Sequence, residues 1–352
     1  MIFLPSIRGL RLAVAGAALF TAAPAATWGW GGIQHVQINK AAGRNVPDEM
    51  GAFRPFSRPM AFPGIYPDLW KEADLAETPR HYFEPDRLPA GTDLGGLAAD
   101  QATAFSQQIS SRPDEIGIAP WTITDLLVQM TEAMRTNDWL MAARCGATMG
   151  HYVADLHMPL HCTRNFNGQE TWQVGIHSRI ELDMTKAFFR PDLLDPAPAA
   201  YLEDPFREIM GWVAHSASLV PSILNADTIA RRSANGRYDT ERYYYKLWEL
   251  TGDTIIQQLS DAVTHLSSLW YTAWVDAGKP AIPGPFAELP TTSLHSGVGI
   301  DFPTEDGPAG ATLPRQNKTY NAIIWAVMGI IAGVVITSSI VRGIRERKAS
   351  GK

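Results

Sequence analysis

Apolar residues recur at three-to-four spacing over residues 122–136, 139–156, 171–189, 205–224 and 240–277, a period that predicts five amphipathic helices. Few windows alternate strictly between apolar and polar, so no substantial sheet is expected and the fold class reads as all-α. Residues 47–113 are richer in Pro, Gly and aromatics, which predicts short helices joined by ordered loops. After Gly278 the periodicity stops in Pro/Gly/Thr-rich sequence, read as a linker over 281–319.

Two apolar segments stand apart from this helical core. Arg8 and Arg11 precede a small, apolar run over 12–23, the order of a secretory signal, so residues 1–29 are expected to be an export signal cleaved somewhere in 25–29. Near the other end, residues 322–341 carry no charge and are followed by Arg342, Arg345, Arg347 and Lys348. Such a segment, at about 1.5 Å per residue, matches a hydrocarbon core of about 30 Å, and the basic cluster should stay cytoplasmic. The expected organisation is thus a helical domain over 30–280, the linker, a transmembrane helix over 320–342 and a basic tail over 343–352. The protein is expected in the cell membrane, single-pass, with its domain on the periplasmic or extracytoplasmic side.

Composition narrows the class. Thirty basic against 36 acidic side chains give a net charge of -6, which excludes a protein that holds nucleic acid by bulk charge, and no stable nucleic-acid partner is expected. Two cysteines exclude a disulfide scaffold and a cysteine-built zinc ribbon. Cys145 and Cys162 are separated by mostly helical sequence, beyond the about 7 Å that a bridge tolerates, so two separate thiols are expected.

The nine histidines carry the chemistry. His151 and Asp155 are four apart, as are His177 and Glu181, and on a helix each pair projects from one face as a ready bidentate metal platform. His161 follows Pro159, which ends or bends the first helix and turns the imidazole towards the second pair. His157 lies about 240° around the helix from His151 and is read as a neighbour of the site. His215, His265 and His295 are read as structural. Nitrogen and carboxylate donors without cysteine suit Zn²⁺ in a hydrolytic role, and Asp155 can bridge two ions. Upstream, His81 follows Asp68 by thirteen residues, and His35 sits five after Trp30.

At this point the chain resembles the zinc-dependent phospholipase C family, which shares its fold with fungal single-strand-specific nucleases. The resemblance covers roughly 30–280 and is strongest over Gly150 to Glu181, in the order H-x-x-x-D, P-L-H, N-F, G-x-H-S-x-x-E, with Trp30-Gly-Gly-Ile-Gln-His35, Pro67-Asp68 and His81-Tyr-Phe-Glu-Pro-Asp86 adding matches. It implies a compact multi-helix domain holding two to three zinc ions at the bottom of a cleft. By the family pattern one ion takes Asp68, His81, His151 and the bridging Asp155, and a second takes His161, His177 and Glu181. A third takes Asp155, His35 and the amino and carbonyl groups of an N-terminal Trp30, which requires cleavage after Gly29. Asp74 is the alternative to Asp68.

The implied activity is hydrolysis of a phosphodiester, with Asp68 and Asp155 as catalytic groups, Asp68 accepting a proton from the attacking water. Glu181, and the Gly175-Ile176-His177-Ser178 context, resemble the phospholipase C branch, which releases diacylglycerol and a phosphorylated head group. The alternative is a zinc nuclease or 3'-nucleotidase, in which Tyr82, Phe83 and Trp172 could stack bases. A non-catalytic zinc-binding module is the third reading.

Overall fold

A computed structural model describes residues 31–300. Among the described residues every regular element is helical and there is no strand, so the all-α expectation holds at that level. None of these helices is long and apolar enough to cross a membrane. The signal, the transmembrane segment, the basic tail and Trp30 lie outside the described residues.

Helix Trp139–Leu156 runs through the centre, with fifteen of its residues buried. Its start is fixed by Asp138, whose carboxylate accepts from the Met141 amide. It packs antiparallel to Ala119–Arg135 across a short turn, in which Asn137 takes a positive φ. The long helices Pro205–Ser233 and Glu241–Asp276 flank this pair, each opened by a capping side chain, Asp204 and Thr240. Helix Gly32–Asn45 closes the bundle, and buried Trp121, Trp270, Tyr152 and Tyr243 fill the space between layers.

One close approach positions the site. A Cβ at Gly150 would overlap the Asn39 side-chain oxygen, so only glycine lets helix Gly32–Asn45 meet the central helix there. Asn39 uses the contact, donating from Nδ2 to the carbonyls of Met60 and Ala147, each at 3.0 Å. His35, one turn before Asn39, and His151, next to Gly150, consequently stack at 3.9 Å between ring centroids.

Three expectations about elements change. The helix expected over 171–189 begins only at Ile176, because Thr171–Gly175 form turns and Gly175 has φ +90°; it then widens into a π-helix over Arg179–Met184. The helix expected over 205–224 continues to Ser233 despite Pro221. The stretch from 281 onwards carries no helix but is strapped to the domain as far as Ile300. Trp70 donates to the Thr291 carbonyl at 2.7 Å, Arg144 to that of Thr292 at 2.9 Å, and Ile300 packs on the Ile65, Tyr66 and Trp70 cluster. Cys145 and Cys162 are buried free thiols.

Candidate metal centre

Six helical segments deliver the histidines and carboxylates. Gly32–Asn45 brings His35, Tyr66–Lys71 brings Asp68, the 3-10 turn Leu75–His81 brings His81, and the central helix brings His151 and Asp155. Pro159 opens the turn Pro159–Cys162 that redirects the chain and delivers His161. His177 and Glu181 come from the segment that follows Gly175.

These side chains form three overlapping or adjoining groups whose donor atoms lie within 4.8 Å of one another: His35, His151 and Asp155; Asp68, His81 and His151; and His161, His177 and Glu181. All eight residues are buried. His81 Nδ1 lies 3.0 Å from both Asp155 Oδ2 and His151 Nε2, and 3.8 Å from Asp68 Oδ1. His35 Nε2 is 3.6 Å from Asp155 Oδ1. His161 and His177 place Nε2 at 3.2 and 2.9 Å from the two Glu181 oxygens.

Of those contacts only the two made by His81 Nδ1, to Asp155 Oδ2 and His151 Nε2, are hydrogen bonds. Both nitrogens of His35, Nε2 of His161 and His177, Asp155 Oδ1, Asp68 Oδ2 and both Glu181 oxygens are buried without a hydrogen-bond partner. Buried polar atoms are otherwise almost always paired, and orphans that converge are the mark of donors arranged for a cation. The opposite ring nitrogens are satisfied: Nδ1 of His151, His161 and His177 donates to the carbonyls of Gly64, His81 and Phe166 at 2.8, 2.6 and 3.0 Å. Each bond reserves Nε2 as the nitrogen that would give its lone pair to a cation, for His161 once the proton on it is displaced. The His81 backbone thus holds the third group while its ring belongs to the second, which ties the groups together.

His81 is the exception in orientation. Its Nδ1 faces the group and its Nε2 faces Glu77 Oε1 at 3.9 Å, so a buried carboxylate backs the histidine on the far side. Tyr152 donates to that carboxylate, and Arg80 lies 3.6 Å from its other oxygen.

Charge is balanced unevenly. Burial opposes ionisation of Asp68, but Lys71 at 2.7 Å, with His151 and His81, outweighs it and holds the carboxyl down at about 2. Asp155 is pulled well below its ordinary range, burial being outweighed by His151 and His161. Burial pushes His35 and His81 down to about 3. For His161 the same burial is outweighed by Asp155 and Glu181, and it is pushed up to about 9. Asp68 and Asp155 are therefore carboxylates at neutral pH.

The structure separates the two candidates upstream of His81. Asp68 joins His81 and His151, whereas Asp74 turns outwards and caps the segment Leu75–His81 by accepting from the Ala76 amide at 2.9 Å. Gly31, where the described chain begins, sits against the Glu181 carbonyl. His157 lies outside the groups: it donates to the Val153 carbonyl, pairs with His265 at 2.7 Å, and His265 stacks on Trp212. Of the three aromatics considered for stacking bases, Phe83 is fully buried against Trp121 and Tyr82 is half-buried, its hydroxyl donating to the Asp114 carbonyl; Trp172 is 89% exposed.

Lys71 and Glu77 were missed from the sequence. Both carried a signal, since Asp68 and Lys71 are three apart, and Glu77 and His81 are four apart like the two pairs that were recognised. The groups described here can hold a metal ion. Compared with known protein families and with curated proteins, the chain matches none.

Proposed function

We propose that this chain is an exported, membrane-tethered, zinc-dependent hydrolase of phosphodiester bonds, phospholipase C-like in its substrate. The observation that carries the reading is the convergence of eight buried donors whose cluster-facing atoms largely lack hydrogen-bond partners. Five of the eight are imidazoles and none is a thiolate, a donor set that suits zinc over the oxygen-seeking Mg²⁺ or Ca²⁺. The assignment of Trp30 and His35 to a third ion rests on the family resemblance, as does the phospholipid substrate, supported by Glu181 and the residues 175–178.

Zinc, when bound, supplies Lewis acidity that lowers the pKa of a water towards about 7 and offsets phosphate charge. The chain's own residues provide the rest. Asp68, Asp155 and Glu181 hold the cation charge in a buried site, and the tautomers set by the Gly64, His81 and Phe166 carbonyls aim the imidazoles. The Lys71 ammonium stays protonated, because Asp68 outweighs the effect of burial. With a side chain 12% exposed it is among the most open groups of the centre and offers a fixed positive charge to an approaching phosphate. Asp155, 3.6 Å from His35 and 3.0 Å from His81 through its two oxygens, is the carboxylate that would be shared between ions in this reading.

A single-strand nuclease is the second reading, favoured by Trp172, an exposed ring five residues before His177. The full-length chain, loaded with zinc, is to be offered phosphatidylcholine vesicles, single-stranded DNA and a chromogenic phosphodiester. Release of diacylglycerol from vesicles, abolished together with bound zinc by His177→Ala, is the expected result. Cleavage of DNA with vesicles left intact would transfer the assignment to the nuclease, and inertness towards all three would leave a binding module.

A further inference from the structure

A cavity of about 380 Å³ has no residue of the three groups in its lining. Its walls include Trp172, Gln173, Asp227, Arg231, Arg232 and Tyr238. The one carboxylate is already neutralised: Asp227 is fully buried and accepts from Arg179 at 3.1 Å, from Gln173 at 2.8 Å and from the Tyr243 hydroxyl. Arg231 and Arg232 have no carboxylate partner among the described residues; Arg231 donates to the Gly236 carbonyl at 3.2 Å and lies 4.9 Å from the centre of the Tyr238 ring. The Tyr238 hydroxyl is buried without a partner. Two uncompensated guanidiniums thus meet in one cavity of a chain whose net charge is -6.

Trp172 stands on the rim and is held outwards. Trp172 is 89% exposed at φ +61°, a conformation that non-glycine residues rarely adopt without an external reason, and Val174 beside it is 62% exposed. The loop is not loose, because Arg179 donates to the carbonyls of Gln173 and Val174 at 3.0 and 2.9 Å while it grips Asp227. The same loop leads directly into His177. Paired guanidiniums select a phosphate, and an exposed tryptophan with an aliphatic neighbour is the combination that settles at a lipid–water boundary.

We infer that the cavity between Trp172, Arg231, Arg232 and Tyr238 binds the head group of an anionic phospholipid and docks this face of the domain on a membrane, Trp172 and Val174 entering the interface. A lipid is preferred to nucleic acid because the same loop displays exposed Val174 two residues from the ring, an aliphatic group that base stacking would not need, and because the uncharged segment 322–341 puts a bilayer within reach. The site recognises lipid without cleaving it, so it stands apart from the metal centre's chemistry.

The test uses the full-length chain in neutral detergent, titrated with short-chain phosphatidylglycerol, short-chain phosphatidylcholine, inorganic phosphate and a single-stranded oligonucleotide. Trp172 is read as the fluorescence difference between the native chain and Trp172→Phe. Phosphatidylglycerol should shift this signal to the blue, and Arg231→Gln with Arg232→Gln should weaken its binding at least about tenfold. Both arginines are exposed, so the double variant should fold, and unchanged zinc content checks that it does. Equal response to phosphatidylcholine, an effect of phosphate alone that matches the lipid, or tighter binding of the oligonucleotide would each overturn the assignment. If all phosphodiesterase assays fail while this response persists, the hydrolase reading falls and the docking site stands.

Discussion

His81 shows how a single residue's two ends are put to different uses. Its Nδ1 reaches Asp155, His151 and Asp68, and its Nε2 looks at Glu77, whose second oxygen has no hydrogen-bond partner. At 3.9 Å Glu77 makes no hydrogen bond to Nε2, which has no partner, but its negative charge on that side favours the tautomer with the proton on Nε2 and the lone pair on Nδ1. Glu77→Gln should therefore lower metal affinity by about tenfold to hundredfold, measured by chelator competition, with helix content unchanged. His161 carries a pH dependence. Its pKa rises from 6.5 to about 9 in the metal-free fold, so its protonated form contributes stability in full below pH 6.5, and that contribution is lost as pH rises through 9. A metal must displace the same proton, so apparent affinity should climb by about tenfold per pH unit between 6.5 and 9 and then level off. An affinity flat across that window in competition titrations would remove His161 from the ligand set. His151, Asp155, His177 and Glu181 were legible in the sequence because helical spacing alone puts each pair on one face. Glu77 and Lys71 were not, because their stretch carries no apolar periodicity to reveal that it winds into helical turns.

At the scale of elements, the central helix was legible to the residue at both ends, since Asp138 caps it and Pro159 stops the chain soon after it. Residues 171–175 misled for a physical reason. Trp172 and Val174 supply apolar letters at the right interval, yet both side chains face solvent, and periodicity cannot distinguish an apolar residue that packs from one displayed. The π-helix Arg179–Met184 was equally hidden, because its extra residue per turn leaves His177 and Glu181 close enough to share a group. Gly150 is where an element contact decides the site. Gly150→Ala would push Asn39 away, break its bonds to Met60 and Ala147, and part the helices that stack His35 on His151. A loss of about 2–3 kcal/mol in denaturant unfolding is expected, accompanied by reduced metal content. Full stability with normal metal content would mean that Asn39 can relocate at no cost.

For the molecule as a whole, the centre is a concentration of buried charge that a bound cation would reconcile with the fold. Chelation should therefore lower the melting temperature by roughly 10 °C for each site held at a thousandfold excess over its Kd, read by calorimetry with and without added zinc. The strap from 281 to 300 bears on how that centre meets its substrate. The linker expected over 281–319 begins late, because Phe286 packs edge-on against Phe56, Thr291 and Thr292 are hydrogen-bonded, and Ile300 ends against Trp70, two residues from Asp68. Residues 301–321 are what is left before the uncharged segment 322–341. The chain thus leaves the domain on the side of Asp68 and Lys71, so a membrane segment at 322–341 would hold the metal centre near the bilayer. Inserting twenty Gly/Ser residues after Asp306 should leave hydrolysis of a soluble chromogenic ester unchanged and slow hydrolysis of the lipid in which the chain is embedded about threefold, as local concentration falls with tether length. If both substrates respond alike, the tether does not set the encounter.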